Sequence, residues 1–136
     1  MGIWRALAHS AVSTSPASED PELCGRTYAI PFGQVWDAVV RLVAGGLKGW
    51  RMVRWDDDVG LVEAEARGLL LAMTADVSVS VTLDGNAQTR VDVQARKKGR
   101  GGDLGANRRR VRRFVRALDK QLNASADQIL RVGTAA

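Results

Sequence analysis

Few residues in this 136-residue chain have the types and spacing that reaction chemistry needs. The single histidine, His9, lies far back in a polar N-terminal stretch, which removes it from any Ser-His-Asp or Cys-His set. Cys24 is the one cysteine, so an internal disulfide is impossible and a reducing compartment suits the chain. Asp56, Asp57 and Asp58 are consecutive at a turn; without further ligands such a run does not converge on one ion, and it reads as a solvated loop. Glu63 and Glu65 have the spacing of a carboxylate pair on one strand face. Arg51 and Arg54 in the neighbouring run make cross-strand ion pairing the better reading of both. Asp76 is a weak candidate for a site, within the polar rhythm of a long strand. No metal site and no cofactor is implied.

The stretch Arg96-Lys97-Lys98-Gly99-Arg100-Gly101-Gly102 precedes a helix start and has the outline of a phosphate cradle, because backbone amides at a helix N-terminus bind anions. Walker spacing is absent, and the carboxylate of Asp103 competes for the same amides. A flexible basic connector is the simpler identity.

What remains is charge. From Arg96 to Lys120 there are eleven basic residues against Asp103 and Asp119, a net of +9; the whole chain is +5, so everything else is −4. Segregation of that kind orients acidic partners. The final helix carries most of it. Val111, Phe114, Val115, Leu118 and Leu122 recur every three or four residues as a buried stripe. Arg108, Arg109, Arg112, Arg113, Arg116 and Lys120 fall on the flanks and outer side. Asp103 is placed as its N-cap, where a carboxylate accepts backbone N–H bonds and is favoured by the helix dipole.

Those arginines, with Lys97, Lys98 and Arg100, form the expected partner-binding surface, and Ile3, Trp4 and Leu7 supply an apolar second contact. The expected partner is an acidic protein surface or a multi-subunit complex. An anionic membrane surface is the next choice, since a basic face and an apolar segment together hold lipid. Nucleic acid ranks lower, because neither a helix-turn-helix pair nor an aromatic RNA platform is present.

The elements that must position these residues follow from periodicity. Residues 1–25 form an N-terminal amphipathic segment and linker: Ile3, Trp4, Leu7, Ala8 and Ala11 make one helical stripe, and the run from Ser13 to Glu22 is rich in Ser, Pro and acids. Residues 26–123 form a single domain and residues 124–136 a tail that either extends the last helix or frays. Within the domain the pattern predicts a strand over Thr27–Pro31 and a helix from Gly33 to Ala44 ended by Gly45 and Gly46. A hairpin of Trp50–Trp55 and Leu61–Ala66 follows. Next come a strand of alternating apolar residues from Leu69 to Leu83, bent or bulged along its length, and a partner from Thr89 to Ala95. The last helix runs from Leu104 past Leu122. The fold class is α+β: a curved antiparallel sheet of about five strands in the order β-α-β-β-β-β-α, with two helices on its apolar face.

No apolar run approaches the roughly 18 residues of a membrane-spanning helix. Met1 to Val12 lacks the apolar core of a secretory signal, and Ala6 stands where a myristoylation motif wants Ser or Thr. The expected location is cytoplasmic or the soluble side of an organelle, or peripheral to a membrane.

Asp103-Leu104-Gly105-Ala106-Asn107-Arg108-Arg109-Arg110-Val111 resembles the close of the domain of unknown function 1499 family, small bacterial and plastid proteins. The resemblance extends back through Val91-Asp92-Val93, Thr74-Ala75-Asp76-Val77 and Val35-Trp36, covering roughly residues 26 to 122. This chain has Gly102, Lys98, Ala75 and a single Cys24 where the family tends to carry a small polar residue, an Arg, a second acid and paired cysteines. The resemblance implies a fold and a bounded domain, and brings no reaction with it. Two functions are expected from these observations. The first is a non-enzymatic interaction module, an accessory or assembly subunit docking by its basic helix and N-terminal segment. The alternative is a binding domain for an apolar or lipid-like ligand between sheet and helices. Enzyme activity comes third, and a pocket combining Asp76 with Glu63 or Glu65 is what it needs.

Overall fold

A computed structural model of the chain describes residues 11–15, 25–67, 74–97 and 105–130. In chain order these form β1 (Ala11–Ser13), β2 (Arg26–Tyr28), α1 (Phe32–Arg41), β3 (Trp50–Asp56), β4 (Leu61–Ala66), β5 (Ala75–Leu83), β6 (Thr89–Lys97), α2 (Ala106–Gln121) and β7 (Ile129–Leu130). All the strands belong to one antiparallel sheet, ordered β3-β4-β5-β6-β2-β7, with β1 also on β6. The α+β class and the two helices on one face are as the pattern predicts; the described strands number seven rather than about five.

Strict alternation explains the sheet. Val77, Val79 and Val81 of β5 lie across from Ala95, Val93 and Val91 of β6, while Val62, Ala64 and Ala66 of β4 face Val79, Val77 and Ala75. All of them are buried, so one face of the sheet is apolar, and the helices close over it. From α1 come Val35, Trp36, Ala38 and Val39, and from α2 come Val111, Phe114, Val115 and Leu118. The ring of Phe114 stacks on Trp50 at 5.6 Å and 14°. Thr89, buried in this layer, is satisfied by donating its hydroxyl to the Ile30 carbonyl at 2.6 Å.

α1 starts after Pro31, whose carbonyl accepts from the amides of Gln34 and Val35. It ends in a wider π-type turn, Leu42–Gly46, which returns the chain to β3. The expected glycine stop is present, but not as a left-handed cap: Gly45 has an extended φ of 175°, and the positive φ falls later, at Gly49. The β3–β4 hairpin has the predicted bounds within a residue. Its last turn residue, Gly60, does need to be glycine. With φ +68°, its carbonyl accepts from Val81 N–H at 2.8 Å, and a Cβ there would sit 2.3 Å from the Val81 oxygen.

Three expectations are corrected. The bulge lies in β3, between Met52 and Arg54, whereas β5 keeps an unbroken register from Ala75 to Leu83; the part of the predicted strand at Leu69–Met73 lies outside the described residues. Ala11–Ser13, expected in a helix and linker, is a strand, because the edge of β6 beyond β2 offers it Arg96, Ala95 and Gln94 as backbone partners. Beyond Asn123, which turns the chain with φ +50°, the tail neither extends the helix nor frays through residue 130: Ile129 and Leu130 pair with Tyr28 and Thr27.

Candidate functional site

α2 is held on the sheet at both ends and along its middle. Gly105, in the left-handed region at φ +83°, occupies the N-cap position, and its carbonyl accepts from Arg109 N–H. The helix therefore begins at Ala106, two residues later than predicted, and Asp103 lies outside the described residues. Second in the helix, Asn107 is fully buried with its Oδ1 accepting from Arg110 at 2.6 Å.

At the other end the helix's only acid does the anchoring. Asp119 turns toward β2, where Arg26 donates to both carboxylate oxygens at 3.0–3.3 Å and the Tyr28 hydroxyl donates to Oδ1 at 2.5 Å. Burial, then the hydrogen bond and charge of Asp119, push the Tyr28 phenol well above its ordinary range, so it stays protonated and keeps donating. Because Arg26 and Tyr28 are two apart on a strand, both reach the helix side of the sheet. Sequence reasoning counted Asp119 only as a deduction from the basic total. Its place beside Leu118 on the buried stripe was the available signal that the carboxylate needed a partner.

With Asp119 committed inward, the outer side of α2 is strongly positive. Arg108, Arg109, Arg113, Arg116 and Lys120 are exposed, while Arg112 is half-buried on the flank. The ion pairs among the described residues are Arg26–Asp119, Arg51–Glu65, Arg54–Glu63 at 2.9 Å and Arg90–Asp92 at 2.8 Å; none draws on Arg108, Arg109 or Arg113. Of the remaining residues expected at this surface, Lys97 closes β6, while Lys98, Arg100, Ile3, Trp4 and Leu7 lie outside the described residues.

The acidic candidates on the sheet pair with arginines, and Glu63 and Asp76 also line one open cleft of about 480 Å³ together with Ser78, Gln94 and Arg96. Glu65 and Glu63 pair across β3–β4 with Arg51 and Arg54, as their spacing predicts. Asp76 continues the first of these rows, between Glu65 on β4 and Arg96 on β6, so the solvent face of the sheet reads Arg51, Glu65, Asp76, Arg96 across four strands. The outer contacts of that row, Arg51 with Glu65 and Asp76 with Arg96, set opposite charges across from each other and favour the sheet, whereas Glu65 and Asp76 in its middle are like charges directly opposite and oppose it. At the hairpin turn, Asp56 accepts from its own loop at Asp58 N–H, and Asp57 accepts from Trp36 Nε1 at 2.9 Å.

A second polar cluster, unforeseen from sequence, fastens the N-terminal strand. Thr14 receives Val93 N–H and donates to Asp92, and Asp92 in turn holds Arg90 through two bonds of 2.8 and 3.0 Å. Gly25, at φ +81°, passes so close that a Cβ would meet Arg90 at 2.6 Å and Asp92 at 2.7 Å.

No helix among the described residues is long and apolar enough to cross a membrane. Residues 8–118 match the model of a family described as a protein of unknown function, DUF1499. The match opens just ahead of β1, earlier than residue 26, in keeping with the pairing of β1 in the sheet. No curated protein matches the chain.

Proposed function

We propose, from the premise that this chain belongs to the DUF1499 family of proteins of unknown function, that it is a non-enzymatic interaction module, an accessory or assembly subunit that docks on an acidic surface of a larger complex through α2. One observation carries the reading: Arg108, Arg109, Arg113, Arg116 and Lys120 are exposed on a helix whose sole carboxylate is spent on anchoring it to β2. Fixed cations on a rigid element steer association and set orientation, and guanidinium groups suit carboxylate partners because they donate two parallel hydrogen bonds.

Capture from native extract by the full chain, with and without Arg109→Glu and Arg113→Glu together, tests this. An acidic partner is retained at low salt, weakened as ionic strength rises past about 0.1 M, where the screening length is near 10 Å, and lost in the double reversal. Retention of the partner by the reversed chain overturns the role of α2. Binding confined to phosphatidylserine vesicles transfers the reading to a membrane surface.

The alternative, an apolar ligand between sheet and helices, requires Val79, Val93, Phe114 and Leu118 to move apart, since each is at most 2% exposed where they meet. The docking reading needs no such rearrangement and is preferred.

A further inference from the structure

Four large apolar side chains are exposed among the described residues, and three of them, Val53, Trp55 and Val59, belong to β3 and the turn that follows it. Trp55 is the largest, 57% exposed on the outermost strand of the sheet. Its register partner is the buried Val62, which places the indole on the helix side of the sheet rather than the solvent side. There it lines an open cleft of about 570 Å³ whose other walls are Phe32, Trp36 and Val40 of α1.

The opposite wall is rigid. Trp36 is nearly buried and its ring is pinned by the hydrogen bond to Asp57; Phe32 lies almost parallel to it, 12° between planes and 6.3 Å between centroids. Asp37, Asp57 and Arg41 are the charged lining residues, and Asp56 and Asp58 flank Asp57 in the turn. Two carboxylates against one guanidinium leave the cleft net negative, and the flanking acids add to it. Aromatic faces attract cations through their quadrupole, and carboxylates beside them reinforce the attraction. A purely apolar ligand has no use for the acids, and an anion meets them unfavourably.

We propose that this cleft is a binding site for an organic cation with apolar faces, a quaternary ammonium or guanidinium head group, held by Trp55, Trp36 and Phe32 with Asp57 and Asp37 supplying counter-charge. The site is separate from the basic face of α2, and its success or failure does not depend on that surface.

Choline and its neutral isostere 3,3-dimethyl-1-butanol differ chiefly in the positive nitrogen. Titrated against the full chain at constant ionic strength and followed by tryptophan emission, choline binds about 10-fold more tightly than the alcohol, the size expected of a partly desolvated cation–π contact. N-acetylarginine amide, run in parallel, reports which head group the cleft prefers. Trp55→Ala removes saturable binding of both cations; being an exposed position, it leaves the fold intact by circular dichroism. Asp57→Asn, which keeps an acceptor for Trp36, lowers cation affinity and leaves the alcohol unchanged. Arg109→Glu with Arg113→Glu leaves choline binding as it was. Equal affinity for choline and the alcohol overturns the proposal, as does a lack of saturation by either cation or a Trp55→Ala chain that binds like the parent.

Discussion

Tyr28 is the single tyrosine of the chain, so a tyrosinate signal can come from no other residue. Unfolded, it ionises near 10.0; in the fold, burial and Asp119 raise that value. Above pH 10 the unfolded state therefore holds fewer protons than the native one, and stability falls as pH rises, by at most about 1.4 kcal/mol per pH unit from this group. Below about pH 9 the group contributes no slope. The expected result is that tyrosinate absorbance appears only together with unfolding, and that Tyr28→Phe flattens the alkaline limb of the urea midpoint. That variant costs about 1 kcal/mol at neutral pH, because Asp119 keeps Arg26 but loses a donor. Gly60→Ala is the harsher single change. Both the positive φ and the nearness of the Val81 oxygen oppose it, so a loss of about 2 kcal/mol or more in urea unfolding is expected.

At the scale of elements, β7 is the smallest piece with a measurable duty. Ending the chain at Asn123 removes its pairing with β2 and the Gln128 carbonyl that accepts from Ala29 N–H. Faster amide exchange at residues 27–29, with a stability loss of about 1–3 kcal/mol, is expected by hydrogen-exchange mass spectrometry and urea titration. The legibility of the elements tracks their length. β3, β4 and β6 and the start of α1 were readable because alternation or a stripe runs through each, and the Arg–Glu rows followed from the same period. β1 and β7 were not, since three or two residues hold no period and pair only because β6 and β2 offer them an edge. The N-cap was misplaced for a related reason. Asp103 has the better capping chemistry, but the helix begins where Gly105 can take a left-handed backbone.

Across the whole molecule, one apolar layer joins sheet and helices, and its centre is Phe114, fully buried against Trp50. Phe114→Ala is expected to cost about 3–5 kcal/mol, read as a lowered denaturation midpoint. Reversing Arg109 and Arg113 is expected to change stability by less than about 0.5 kcal/mol, because both are exposed and belong to none of the ion pairs among the described residues. This contrast separates what keeps the domain folded from the surface proposed to bind a partner. The core and the charge asymmetry were legible in composition and period. The anchoring of Asp119 and the cleft at Trp55 were not, since each joins residues that only tertiary structure brings together.

The shared edge of β6 also sets an order in time. β1 and β2 lie end to end along that one strand, at Gln94–Arg96 and Thr89–Val91, and β2 is then locked by Asp119 and β7. As a chain leaves the ribosome, the meander from β3 to β6 can zip locally, whereas the first two strands wait for a partner that emerges some sixty or more residues after them. β1 and β2, though first in the chain, are thus the last strands to be secured on β6. Pulse-labelled exchange during refolding is expected to protect β4–β6 before β2; simultaneous protection of all four would refute that sequence of events. A helper that shields the backbone of β1 and β2 in that interval would cover hydrogen-bonding groups that β6 takes over in the finished sheet.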